Sequence, residues 1–169
     1  MNKVAIVTGA GTGVGKATAV KLSESGFIVI LIGRRKDKLE ETKTACNGEA
    51  LIHPMDVSNE KDVKKCFEII EKKFSRIDLL FNNAGTFLSS KTIDEINFNE
   101  WKKVIGVNLN GMFLFSKYAF SLMKNQSPIG GRIINNGSVS SITPRPGSIA
   151  YTATKHAVTG MTKSLALDG

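Results

Sequence analysis

Cysteine, proline and aromatic residues are all scarce in this chain of 169 residues. The two cysteines, Cys46 and Cys66, stand in polar stretches with no Cys-x-x-Cys and no histidine cluster beside them. Their isolation excludes a disulfide framework and a zinc site, and it implies a reduced, cytoplasmic location. His53 and His156 lack a second ligand at metal-binding spacing, so no metal is expected. Only 4 prolines against 16 glycines, with 41% hydrophobic and 22% charged residues, exclude a proline-rich linker or a disordered chain. No run approaches the ~20 apolar residues of a membrane helix. The opening MNKVAIVTGAG falls short of the ~7–15-residue apolar core of a signal peptide, and no membrane partner is expected. The length fits one domain, residues 1–169, with a single sizeable core.

Acidic residues are missing from one long stretch. Residues 101–167 carry eight Lys or Arg and no Asp or Glu, while the rest of the chain carries fifteen of each, so the net charge of +8 belongs to the C-terminal part. These cations are scattered and not interleaved with stacking aromatics, which argues against a nucleic-acid track and for a solvated or partner-facing surface.

Short apolar runs alternate with longer amphipathic stretches. Residues 4–8, 28–32, 50–53, 77–81 and 132–136 are too short for helices and rich in β-branched residues, the pattern of parallel strands buried on both faces. Helical periodicity covers 14–25, 36–46, 60–74, 99–123 and 149–167. Strand and helix in alternation predict right-handed crossovers and a parallel sheet covered on both sides. The 99–123 stretch is apolar on nearly every side. That crowding fits a helix that partly faces another subunit, or one covered by further C-terminal structure.

The first strand runs straight into TGAGTGVG, residues 8–15. Glycines at 9, 11, 13 and 15 permit a tight turn and a close backbone approach to a pyrophosphate, whose charge a helix N-terminus favours. Gly9, Gly11, Thr12, Gly13, Val14 and Gly15 are therefore expected to bind a dinucleotide. A Walker loop is excluded because no Gly-Lys-Ser/Thr follows. After the second strand, where an acidic residue would hold the adenine ribose, the chain reads Gly33-Arg34-Arg35. An acid there would repel a 2′-phosphate. Gly33 clears space and Arg34 offers a bidentate donor, so NADP(H) is the expected cofactor and NAD(H) the alternative.

NNAG follows at 82–85, VNLNG at 107–111, GSVSS at 137–141 and YTATK at 151–155. With TGAGTGVG, these motifs make the chain resemble the short-chain dehydrogenase/reductase family over essentially its whole length. The resemblance implies a doubly wound α/β fold of Rossmann type, strand order 3-2-1-4-5. It also implies reversible NADP(H)-dependent reduction of a carbonyl to a secondary alcohol. The substrate would be a small ketone or alcohol, or a 3-oxoacyl thioester. Family members assemble through paired helices, so a homodimer or homotetramer is implied.

Tyr151 and Lys155 lie four apart on one helix face. A tyrosine that exchanges protons near neutrality needs about 4 kcal/mol of help, and a lysine charge ~4 Å away at an effective dielectric of ~20 supplies that much. By resemblance Tyr151 is the general acid or base, and Lys155 assists it and holds the nicotinamide ribose. Ser138 binds the substrate oxygen, and Asn108 holds a water that relays protons from Lys155. Asp56, Val57, Asn82, Ala84 and Gly85 join the cofactor residues, with Asn83 bracing the turn. Family members continue through a sixth strand, a substrate-covering loop and further helices. The chain is thus expected to be C-terminally incomplete, a piece of a longer protein. The alternative function is a noncatalytic dinucleotide-binding protein or an inactive fragment.

Overall fold

Runs of branched apolar residues are buried on both faces only when helices cover a parallel sheet from each side, and the computed structural model, which describes residues 3–169, has that arrangement. Its strands are β1 (Lys3–Thr8), β2 (Phe27–Gly33), β3 (Ala50–Pro54), β4 (Leu79–Asn82) and β5 (Arg132–Asn135). All neighbours are parallel, in the expected order 3-2-1-4-5. The helices are α1 (Gly13–Glu24), α2 (Lys36–Ala45), α3 (Glu60–Phe74), α4 (Phe98–Ile105), α5 (Met112–Asn125) and α6 (Ile149–Asp168). No helix among the described residues is long and apolar enough to cross a membrane.

Strand alternation divides the core. Val4 and Ile6 of β1, with Ile28, Ile30 and Ile32 of β2, face α3 and α5, where Phe67 and Phe115 meet edge to face at 5.5 Å. Val7, Val29 and Leu31 face the other way, onto Ala19 of α1 and Leu39 of α2. Burial pushes the Cys66 thiol up to about 12, which leaves it an inert packing group.

The structure departs from sequence expectation at two elements. Strand β4 starts at Leu79 and not at residue 77. The backbone of Ile77 is claimed instead by the side chain of Gln126, whose Oε1 accepts the Ile77 N–H at 2.8 Å while its Nε2 donates to the Ile77 carbonyl at 3.1 Å. The helix expected over 99–123 is also not one helix. It begins with a capping box in which Asn97 accepts from the Glu100 N–H and the Glu100 carboxylate accepts from the Asn97 N–H. It then changes to a π-helical segment, Gly106–Gly111, before resuming as α5. Gly111 explains part of this: a Cβ there would come within 2.7 Å of the Val57 side chain, so the helix approaches Val57 more closely than any other residue allows. The apolar crowding is mostly absorbed by this packing. Val104, Met112, Leu114, Phe115, Leu122 and Met123 are buried, and Phe113 remains exposed at 52%.

Gln126 is 5% exposed and satisfies three backbone groups, the third being the Gly130 carbonyl at 2.6 Å. Gln126→Leu removes all three bonds and leaves buried groups unpaired, at about 1–3 kcal/mol for each group left unsatisfied. Urea unfolding should register a stability loss of that order or larger. An unchanged midpoint would show that water replaces the amide.

Candidate active site

The C-terminal ends of parallel strands are where loops gather and ligands bind. Here β1 ends in the glycine loop, β2 in Gly33-Arg34, β4 in Asn83-Ala84-Gly85, and β5 in the turn that carries Ser138.

The loop after β1 is shaped by two glycines that nothing else can replace. Gly9 has φ +65° and lies so near Ala84 that a Cβ would touch its Cα at 3.0 Å. A Cβ on Gly15 would overlap the Gly9 carbonyl, so α1 packs directly on the turn. Gly13 has φ +55° and open space where its side chain would be. Thr8, 2% exposed, ties the loop to the end of β4: its Oγ1 accepts the N–H groups of both Asn83 and Ala84 at 2.9 Å.

A cleft of about 260 Å³ lies over this region. Of the residues expected to hold a dinucleotide, Gly9, Gly11, Thr12, Arg34, Asp56, Val57, Ala84 and Gly85 line it. Gly15 instead packs beneath it, and Val14 is 60% exposed without lining the cleft. Asn82 also does not line it. At 2% exposure its Nδ2 donates to Ser116 Oγ at 3.0 Å and to Asn135 Oδ1 at 2.9 Å, while its Oδ1 has no partner among the described residues. The next residue, Asn83, lines the cleft in its place and also braces the turn, donating from Nδ2 to the Thr8 carbonyl at 3.0 Å. Successive residues at a strand end face opposite ways, and motif spacing alone does not say which of two asparagines faces the ligand.

Arg34 is exposed and shares the cleft wall with Arg35 and Lys38. Among the described residues Asp56 is the one carboxylate on that wall. Burial would push its carboxyl up, but hydrogen bonds from the Ser58 N–H at 2.9 Å and Ser58 Oγ at 2.7 Å, with the Arg34 charge, hold it below the ordinary value. The cradle thus offers positive-φ glycines, free space and cations, which fit a phosphate-bearing dinucleotide.

On the other side of the site, Lys155 is only 6% exposed, and no salt bridge involving it occurs among the described residues. Its ammonium donates to the Asn136 carbonyl at 2.7 Å and lies 5.5 Å from the centroid of the Tyr151 ring. Burial pulls its pKa below the usual lysine range. Tyr151 is half-buried, and a second cleft of about 270 Å³ opens beside it, lined by the apolar Phe87, Leu88, Ile96, Pro146 and Ile149 together with the polar Ser90, Arg145 and Ser148. Ser138 precedes a 3₁₀ turn (Val139–Ser141) that packs on α6. Its Oγ accepts the Ser140 N–H at 3.1 Å, which leaves the hydroxyl proton free.

Asn108 sits in the π-helical segment at 1% exposure. Its Oδ1 accepts the Thr86 N–H at 2.7 Å; its Nδ2 donates to the Thr86 carbonyl at 2.8 Å and to Thr154 Oγ1 at 3.3 Å. The amide therefore stitches the loop after β4 to α6 and keeps a single lone pair for a water. Sequence reasoning missed Thr8, Thr86 and Thr154 as members of this framework, because each meets a partner distant in sequence: Thr8 the N–H groups of Asn83 and Ala84, Thr86 and Thr154 the side chain of Asn108.

A sequence-family model described as short chain dehydrogenase matches residues 3–169. A 3beta-hydroxysteroid dehydrogenase of Mediterraneibacter gnavus is 37% identical over 169 residues, covering 98% of this chain and 60% of that protein. The chain therefore spans under two thirds of that relative's length. Among solved structures, a metagenomic short-chain oxidoreductase in complex with NADP superposes with a TM-score of 0.93 at 32% identity, over 98% of this chain and 76% of that one. The 3-ketoacyl-(acyl-carrier-protein) reductase of Brucella melitensis, complexed with NADH, also gives 0.93 at 32% identity, over 98% and 69%. With a family match spanning every described residue and relatives that share its sheet and loops, the chain belongs to the short chain dehydrogenases.

Proposed function

We propose that the protein is an NADP(H)-dependent oxidoreductase that interconverts a ketone and a secondary alcohol. The observation that carries this reading is Lys155. A cation buried without a carboxylate is costly to a fold, and here it lies beside the ring of Tyr151, which lines the second cleft. Stability does not call for that arrangement, whereas proton transfer by Tyr151 does.

Gly9, Gly11, Thr12, Ala84, Gly85 and Asn83 would hold the dinucleotide, with Arg34 at its adenosine 2′-phosphate. When bound, it supplies or accepts the hydride. Ser138 donates its free hydroxyl proton to the substrate oxygen and fixes its position. Tyr151 gives the proton that converts the reduced oxygen to an alcohol, and takes it back in the reverse direction. The Lys155 ammonium favours the tyrosinate that ketone reduction leaves behind and from which alcohol oxidation starts. Asn108 keeps the loop after β4 and α6 in register, with its remaining lone pair available to a relay water.

The apolar part of the lining beside Tyr151, from Phe87, Leu88, Ile96, Pro146 and Ile149, supports a ketone flanked by hydrocarbon, whether a small ketone or a 3-oxoacyl thioester. One relative is named for a hydroxysteroid and one neighbour for a ketoacyl chain, an alcohol and a ketone respectively. The exposed Phe113 and the absence of acids from residues 101–167, which span α5 and all of α6 but its last residue, support a homodimer or homotetramer joined through these helices.

Three outcomes test this reading. Fluorescence titration should give NADPH binding tighter than NADH by about tenfold, the worth of a charge-assisted phosphate contact. Arg34→Asp should erase or reverse that order, and equal affinities in the parent would remove Arg34 from the 2′-phosphate. Tyr151→Phe should abolish ketone reduction and leave NADPH affinity within about twofold, since it deletes the proton and not the phosphate contacts. Activity retained within a few fold would assign the proton to another group. Phe113→Asp should shift the sedimentation coefficient from oligomer to monomer at micromolar concentration, and a parent already monomeric would refute the assembly.

A further inference from the structure

The sheet ends at Asn135, yet the backbone just beyond carries both the acceptor of the Lys155 ammonium and, two residues later, Ser138. Asn136 holds that backbone at three points. Its N–H donates to the Asn82 carbonyl at 2.9 Å, its own carbonyl receives Lys155 Nζ at 2.7 Å, and its side-chain Nδ2 donates to Asn83 Oδ1 at 3.0 Å. The next residue gives no help, because Gly137 has open space around the position of a side chain.

Asn83 cannot turn its amide around. Its Nδ2 already faces the carbonyls of Thr8 at 3.0 Å and Gly9 at 3.4 Å, so its Oδ1 must face Asn136, and only a donor at 136 satisfies it. A continuous path of hydrogen bonds thus runs from the Gly9 turn through Asn83 and Asn136 to the Lys155 ammonium. A valine at 136 would prolong the strand equally well and break that path.

Resting on the reading of Lys155 as the group that serves Tyr151, we infer that Asn136 is a positioning residue. Its side-chain amide fixes the peptide whose carbonyl holds the Lys155 ammonium, and it thereby couples the glycine loop to the proton-transfer side of the site. Placement of Lys155 and grip on the dinucleotide then depend on one another through two asparagine side chains.

The test compares the parent with Asn136→Val, Asn83→Ala, the double variant, and Asn136→Gln, which keeps a donor on a longer stem. NADPH affinity is read by nucleotide fluorescence. The acylation rate of Lys155 by an amine-directed reagent, without cofactor, is read by mass spectrometry. Asn136→Val should weaken NADPH about fivefold, the worth of one neutral hydrogen bond, and should speed Lys155 acylation by a similar factor. Asn136→Gln should recover part of both, and Asn136→Val should add little in the Asn83→Ala background. Parent-like affinity and acylation in Asn136→Val, or fully additive effects of the two substitutions, would overturn the coupling. If the valine variant fails to fold, the glutamine variant carries the comparison, and parent-like acylation together with undiminished loss of NADPH affinity would count against it. A parent that binds no NADPH would defeat the proposed function instead, while the acylation arm would still decide whether Asn136 places Lys155.

Discussion

Two backbone N–H groups donating to one threonine hydroxyl set the geometry on which the cofactor side of this molecule rests. Thr8 Oγ1, at the end of the central strand, accepts from Asn83 and Ala84. That contact brings the turn after β4 against the glycine loop so closely that Gly9 and Ala84 leave no room for a Cβ. Thr8 is almost wholly buried, so the N–H groups it accepts would have little water to replace it. The cleft wall, the direction in which Asn83 points and the seating of α1 on Gly9 all follow from it.

The proton-transfer side rests on a different device. The buried Lys155 ammonium is held by a backbone carbonyl and not by a carboxylate. A carboxylate would neutralise it and pin it in place. A carbonyl accepts its hydrogen bond and leaves the full charge to act on its surroundings, which include the Tyr151 ring. The absence of acids between residues 101 and 167 is thus more than surface composition, because no carboxylate on α4, α5 or α6 within that stretch competes for the lysine.

Much of this was legible in the sequence. Short β-branched runs alternating with amphipathic stretches predicted the parallel sheet and its helices, because burial on both faces demands continuous apolar strands, while the strand order came from the family resemblance. The glycine pattern located the first turn, and the four-residue spacing of Tyr151 and Lys155 put them on one helix face. Where expectation failed, the cause was a contact between residues far apart in the chain. Gln126 captures Ile77 across 49 residues and shortens β4. Val57 and Thr86 draw in the segment around Asn108 and turn a predicted continuous helix into two, joined by a π-helical stretch.

The sequence by itself determined which residue types stand at the strand ends: glycines for close approach, arginines at the end of β2, a tyrosine and a lysine one helical turn apart. Local periodicity and backbone sterics suffice for that, since each choice is read within a few residues. Only the tertiary structure decided which neighbours those residues face. Asn82 turns inward to Ser116 and Asn135 while Asn83 turns to the cleft, and Asn136 links Asn83 to Lys155. The physical reason is that an amide side chain presents a donor and an acceptor of nearly equal size. Its orientation is fixed by partners that folding brings in from 34 to 75 residues away, and no spacing along the chain encodes them.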